Sequence, residues 1–499
     1  MKIVIVGGGS AGWMSALTLQ LLEGVDIHVV QSPSIPTISV GESTIMEFVQ
    51  WMIVVGLDPH TVVKETNGSF KLAIKFIDFC RMGSSFFFPF GKNKSTENRY
   101  HFELWNYMRL LQVSDLPLFT DTFYPNMALI KEHNFTTNEG DFAFNNYALH
   151  FDASLFAKYL QSICIEKGVH LHSATVEKVL TNDDGVEAIH LDSGEVLMAD
   201  LYIDCTGFKS LLLGDALKEP FIDYSDIIPN NKAFATQINY KNKESELESF
   251  TSCTALSNGW VWNIPLWSRI GCGYVYSNRF ISNEDALCEF KDHLKSKGHS
   301  TESLEFRNID IRNGTHKRLW VKNVVAIGLS AGFVEPLEST GLWFVHTYIL
   351  LLLKVLKRSN RPSQIEKDIF NKIAFQMFDN LASFVSIHYG LSQRLDSDYW
   401  VDISKRSFLK QNNMINNIFY DVANKNSEVN FGLQCILTGF DHFTFNEFNS
   451  SIYNEDFVKN YKNDKVYKVL LENITRFKND AKKAPKLLSV LESIHLSDA

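Results

Sequence analysis

No two of the seven cysteines in this 499-residue chain stand in a C-x-x-C spacing. Cys80, Cys164, Cys205, Cys253, Cys272, Cys288 and Cys435 are scattered and odd in number, which argues against a disulfide framework or a thiolate zinc site and for a reducing compartment. Long apolar runs are also missing. The longest, Gly341 to Leu353, contains His346 and stops short of the roughly 18 to 20 residues that a membrane-spanning helix needs. Basic residues are in deficit: 48 Lys and Arg against 57 Asp and Glu give −9, the wrong sign for a protein that must neutralise nucleic-acid phosphates. Met1 and Lys2 lead straight into Ile3-Val4-Ile5-Val6, without the parts of a signal peptide, so a cytoplasmic location is expected. There is no internal repeat or low-complexity segment.

What remains is an ordinary folded composition, 45% hydrophobic and 21% charged, long enough for about three domains or two large lobes sharing a core. Residues 2–6 read as a parallel strand covered on both faces. A helix is expected over Ala11–Glu23 with Gly24 as its left-handed cap, followed by a strand at Ile27–Val30, which completes a β-α-β unit. Asp152 reads as the N-cap of a second helix that ends at Gly168. Turn signals at Asn182–Gly185 and Asp192–Gly194 cut residues 174–204 into a β-meander, and the chain from Gln364 onward is mainly helical and aromatic, with a polar loop at Asn424–Asn430. The fold class is therefore α/β, a Rossmann-type fold with a β-meander and a mainly helical module.

Gly7-Gly8-Gly9-Ser10-Ala11-Gly12 matches G-x-G-x-x-G after a strand and before a helix. The glycines allow a tight turn, close approach of main chain to a pyrophosphate, and close packing of helix on strand, while the helix N-terminus favours the anion. The ribose-binding acid expected about 20 residues on is replaced by Gln31, which can still hydrogen-bond a ribose hydroxyl. The meander running into Asp204-Cys205-Thr206-Gly207 favours FAD over NAD, by fold-level analogy.

Several further segments carry a family resemblance. Gly259-Trp260-Val261-Trp262-Asn263-Ile264-Pro265 resembles the G-W-x-W-x-I-P signature of flavin-dependent halogenases. The tryptophan-halogenase branch is matched at Ser39–Thr44 (its V-G-E-A-T), at Asn67–Lys71 and at Phe333–Gly341, and similarity extends through Leu217–Asp223. The resemblance covers residues 1 to about 400, and Cys435–Gly439 resembles a later family segment. It implies a two-component enzyme. A separate flavin reductase supplies FADH2, a flavin hydroperoxide oxidises halide, and hypohalous acid crosses a tunnel to an electron-rich aromatic substrate. Lys71 matches the catalytic lysine and Glu338 the catalytic glutamate. Thr340 and Gly341, at the start of an apolar helix, match the halide site. Gly7, Gly9, Ser10, Ala11, Gly12, Gln31, Gly41, Glu42, Ser43, Gly328 and Gly341 are the FAD-binding candidates. Trp260, Trp262, Ile264 and Pro265 are assigned to the tunnel, and Phe88 and Phe90 to the substrate pocket.

The pattern departs from tryptophan-specific members at Ala423–Asn430, where clamp residues are expected, and at Phe88, where the family has histidine. An apolar, aromatic pocket for indoles, phenols or anilines is expected, with halide choice open among chloride, bromide and iodide. The alternative is a flavin-dependent aromatic monooxygenase, disfavoured because Ile327-Gly328-Leu329-Ser330 lacks the G-D of that class; an inactive flavin-binding protein is disfavoured by the retained Lys71, Glu338, Thr340 and Gly341. Residues 1–84 and 146–395 are expected to form the FAD module, and 85–145 with 396–499 the substrate module. The expected partners are the reductase and a small aromatic substrate, with no nucleic acid or membrane, and a homodimer is left open. His170 and His172 read as a solvated strand face, with no resident metal, and His101 and His388 as core or rim histidines.

Overall fold

The computed structural model describes residues 1–35, 41–91, 105, 108–109, 113, 115–137, 142, 146–406, 430–441 and 465–497. Strand β1 (Lys2–Val6) buries Ile3 to Val6 and pairs in parallel with β2 (Asp26–Gln31) and with Leu201–Asp204. The full sheet has six strands, in the order Trp320–Val321, Val324–Ala326, Leu201–Asp204, β1, β2 and an edge strand from His170 to Ser173. Helix α1 spans Ser10–Leu19. The expected continuation to Glu23 is replaced by tight turns, because Leu21 and Leu22 donate to Thr18 and Leu19 three residues back, leading to Gly24 in the left-handed conformation.

A second, seven-stranded sheet runs Arg307–Asp310, Lys232–Ile238, Ile270–Tyr276, Gly259–Pro265, Phe250–Ala255, Ala73–Ile77 and Ser85–Pro89, the last at its edge. The small sheet that links this layer to the first contains β3 (Gly41–Ser43) and β4 (Ser69–Lys71), both antiparallel to Ala148–Asp152 between them. We number Ala73–Ile77 as β5, Ser85–Pro89 as β6, Ala148–Asp152 as β7 and His170–Ser173 as β8. Gly41 backs onto Gly271, where a Cβ would lie 3.1 Å from the Gly41 nitrogen, so the small sheet sits close against the large one. Asp152 closes β7 and caps the helix Ala153–Glu166 by accepting from Ser154 N and Leu155 N, while Arg269 binds its other oxygen at 2.5 Å.

The meander forms as expected over Val176–Leu197, after which the chain leaves it and Leu201–Asp204 enters the parallel sheet. Helix Gly341–Leu356 packs on α1, and the long helix Gln364–Gly390 starts with a Ser363–Glu366 capping box. One apolar core joins the two main sheets and these helices; a smaller one lies under helix Asn283–Ser296. Among the described residues no helix is long and apolar enough to cross a membrane.

The glycine turn is sterically specified. Gly7 has φ +119°, and a Cβ on Gly12 would lie 1.8 Å from the Gly7 carbonyl oxygen. Gly12→Ala is therefore expected to push α1 off β1 and to abolish FAD retention or soluble expression, as measured by flavin fluorescence titration and thermal melting.

Candidate active site

At the C-terminal ends of the parallel strands lies a cavity of about 650 Å³, the usual ligand position in such sheets. Gly7, Gly9, Ser10, Ala11, Gln31, Gly41, Glu42, Ser43, Gly328 and Gly341 all line it, as do Trp262 and Ile264. Gly12 lies behind the wall, where it serves packing. The cavity fits an extended dinucleotide: Gly9 and Gly341 face open space, the turn before α1 offers free backbone N–H groups, and Cys205 to Lys209 close the opposite wall. Gln31 is held in place by Trp13 Nε1, which donates to its Oε1 at 3.3 Å. Burial, with the Asp152 carboxylate nearby, raises Glu42 to about 7, so it can donate as well as accept toward hydroxyls.

The motif at 335–341 builds the far end of this cavity. Pro336–Glu338 is one 3-10 turn, Ser339 follows in the left-handed conformation at φ +59°, and Thr340 precedes the helix that begins at Gly341. The macrodipole and first free N–H groups of that helix favour a small anion. Thr340 Oγ1 is buried with no hydrogen-bond partner among the described residues, an unused donor beside the same helix start. The two expected halide residues thus supply what an anion needs.

Lys71 ends β4 in the interior, with no exposed surface. Its Nζ donates to the Thr44 carbonyl and to Ser339 Oγ, both at 2.9 Å, and lies 4.9 Å from the centre of the Phe90 ring. Burial lowers its pKa to about 7 against the opposing pull of Cys253 and Glu338. Ser339 also accepts from Ser43 at 3.0 Å; Ser43 lies 2.6 Å from Thr251, and Thr251 2.8 Å from His150 Nε2. Because Ser69 donates to the Pro265 carbonyl at 2.5 Å, His150 Nδ1 must be the donor across its 3.2 Å contact with Ser69. Burial and Lys71 keep His150 neutral.

Glu338 is buried, and His388 Nε2 lies 2.6 Å from its Oε1. His388 stands in the last turn of the long helix, ringed by Phe76, Phe384 and Phe440. Phe88 approaches both Phe90 and Phe384, so one aromatic wall runs from the Lys71 side to the Glu338 side. Glu335 is fully buried and pushed up to about 7 by burial, against hydrogen bonds from Tyr389 and from Asn230 at 2.7 Å. Tyr399 in turn donates to Asn230 at 3.0 Å. This network pins the strand entering the 335–341 motif.

The sequence expectations therefore separate into two groups in space. The FAD candidates other than Gly12 line the cavity; Lys71, Glu338, Phe88 and Phe90 lie outside its lining, beyond Ser339. Trp260 is fully buried, its ring 6.2 Å from that of Trp262, and Pro265 serves through its carbonyl. Ser339, His150 and Thr251 carry contacts that sequence reading assigned to none of them, and His388, read there as core, is core and Glu338's neighbour at once. Ser39 and Val40, His101 and Ala423–Val429 lie outside the described residues.

Burying an ammonium has a stability consequence with a definite sign. The unfolded chain holds the Lys71 proton up to about 10.5 and the folded one releases it near 7, so the burden on folding is full below pH 7 and fades as pH rises. At about 1.4 kcal/mol per unit it reaches on the order of 5 kcal/mol. Lys71→Met should raise Tm above that of the parent, and by more at pH 6 than at pH 9. Equal melting temperatures at both pH values would remove the buried charge from the account.

The residue pattern has counterparts among known proteins. The family model described as tryptophan halogenase matches residues 2–436, reaching past residue 400 into the Cys435 segment. Tryptophan 7-halogenase RebH of Lentzea aerocolonigenes is 36% identical over 420 residues, 80% of this chain and 78% of that one. Among solved structures, VirX1 superposes with a TM-score of 0.89 at 32% identity, covering 98% of each chain. BrvH, a flavin-dependent halogenase from Brevundimonas sp. BAL3, does so at 0.84 and 29%, covering 99% of each. With the family model spanning most of the chain and the glycine turn, Lys71 and the 335–341 motif in place, this chain belongs to the tryptophan halogenase family and is a flavin-dependent halogenase, an enzyme of a class that uses reduced FAD from a separate reductase, and halide.

Proposed function

We propose that this enzyme halogenates indoles, phenols or anilines in the cytosol, using an electrophile that leaves the flavin cavity past Ser339 and is held by Lys71. The observation that carries the reading is that Ser339 lines the cavity while its hydroxyl binds the buried Lys71 Nζ at 2.9 Å. Bound reduced flavin supplies the electrons for O2 reduction, so that FADH2, O2, a halide with one proton and an aromatic C–H give FAD, the aryl halide and two waters. Thr340 and the helix start at Gly341 hold the halide. The Lys71 ammonium has three N–H groups; two bind Thr44 and Ser339, and the third is left to grip hypohalous acid beside the ring. Glu338 accepts the proton that the ring loses, with His388 Nε2 2.6 Å from its Oε1. Trp260 and Trp262 stand in the wall between flavin and substrate. The Phe88, Phe90 and Phe384 rings favour stacking of flat substrates.

Mass spectrometry of a mixed indole, phenol, aniline and tryptophan panel, run with FAD, a reductase, NADH and each halide in turn, tests the function. Lys71→Ala should eliminate halogenated product while FAD affinity and peroxide release persist, and Glu338→Gln should lower the rate about 100-fold or more. Full product yield from Lys71→Ala would take the lysine out of the mechanism. For the anion site, Thr340→Val should raise the halide concentration at half-maximal rate about fivefold, the worth of one hydrogen bond, with FAD affinity unchanged. A superimposable halide titration would move the anion elsewhere.

A further inference from the structure

The far side of the parallel sheet carries a cluster that the halogenation chemistry does not use. The register of β2 against β8 sets His28 opposite His170 and Val30 opposite His172. The three imidazoles thereby share one face, with ring centres of His170 and His172 at 4.6 and 5.1 Å from that of His28. Two carboxylates flank them. His28 Nε2 lies 3.1 Å from Asp26 Oδ2, and His170 Nε2 3.4 Å from Asp26 Oδ1. His28 Nδ1 lies 2.8 Å from His172 Nε2, and His172 Nδ1 3.4 Å from Glu195 Oε2. The sequence showed only His170 and His172, two apart on a strand; Asp26 and His28 join them through strand pairing.

Counting hydrogens exposes a deficit. Each of these four contacts joins two atoms that carry lone pairs, so each needs one cationic or hydrogen bridge. The carboxylates bring none, and three neutral imidazoles bring one each. One bridge is missing, and an extra proton or a metal ion must supply it. A metal ion meets the deficit without charging a ring. With His28 Nε2 on the metal, His28 Nδ1–H donates to His172 Nε2 and His172 Nδ1–H donates to Glu195, so every tautomer is determined.

We propose that Asp26, His28 Nε2 and His170 Nε2 form a site for a divalent d-block cation of the zinc type, with His172 and Glu195 orienting His28. The 3.1 Å between His28 Nε2 and Asp26 Oδ2 is close to the edge of a tetrahedron, about 3.3 Å, built on metal–ligand bonds of about 2.0–2.1 Å, and His170 Nε2 lies 3.4 Å from the other oxygen, Oδ1. The three ligand atoms lie within 4.8 Å of one another. The remaining closure falls to His170, whose side chain is 61% exposed and free to swing, and water completes the fourth position. Asp26 and His170 open the site to solvent, while His28 and His172 are only 13% and 15% exposed and hold it rigid from beneath. A hydrogen bond at the second ring nitrogen of a ligating histidine, here His28 Nδ1 to His172, is the usual outer support of such sites. The bound ion would tie the edge strand β8 to β2, the strand that ends in Gln31 at the cavity.

The test is zinc chloride titration of the FAD-loaded full chain without an affinity tag, by calorimetry and by metal analysis after dialysis. One zinc per chain is expected, with a rise in Tm. His28→Ala and His170→Ala should each weaken binding by more than about tenfold, as should Glu195→Gln to a smaller extent, whereas His60→Ala, remote from the cluster, should not. His170 is exposed on an edge strand, so its variant tests the site without endangering the fold. No retained zinc, or equal affinity in the parent and His170→Ala, overturns the proposal and leaves a trapped proton as the bridge.

Discussion

Placing the Lys71 ammonium where no water reaches it obliges the protein to bring oxygen atoms to it from distant parts of the chain. One comes from the Thr44 carbonyl just after β3, the other from Ser339, 268 positions along the sequence. The second demand sets the local geometry of the whole 335–341 segment. Ser339 reaches the lysine from a left-handed backbone, a conformation that costs a non-glycine residue of order 1 kcal/mol or more. That same turn aims the following helix so that its N-terminus faces the flavin cavity. Lysine anchor, cavity wall and anion site are thus consequences of one hydroxyl's position.

The strand that carries Trp260 and Trp262 is held from both sides. Trp262 lines the cavity, and Trp260, two residues earlier on the same strand, is buried beside it. Gly273 opposite must be glycine because a Cβ there would sit 2.1 Å from the Trp262 ring. Behind the strand, Glu335, Asn230, Tyr389 and Tyr399 form a fully buried polar network whose members satisfy one another. Such a network fixes one packing arrangement, because any shift leaves a buried polar group unpaired.

How much of this can be read from the chain follows from sequence distance. The glycine turn, the Asp152 cap and the helix start at Gly341 are local signals, governed by neighbours within a few residues, and the structure forms them where the residues imply. Lys71, Glu338 and Thr340 are chemically silent in isolation and were legible only through motif resemblance. His388 carried no such mark: in the last turn of a 27-residue helix it has the spacing of a core residue, and only tertiary packing brings it to Glu338. The same holds for the relay of hydroxyls through Ser43 and Thr251, which are 208 positions apart. The helix α1 ended early because i to i−3 bonding at Leu21 and Leu22 competes with helical continuation, a choice that periodicity does not register.

The edge position of β6 has an evolutionary side. Among the described residues Phe88 sits on the outermost strand of the large sheet, paired on one flank only, whereas the Trp260 strand lies inside that sheet, paired on both. On the proposed role of Phe88, replacements along β6 change the substrate wall at a strand that pairs only with β5 among the described residues. If Phe88 faces the substrate as proposed, single replacements on this strand can retune the substrate range while the pairings that position the Trp260 strand stay as they are.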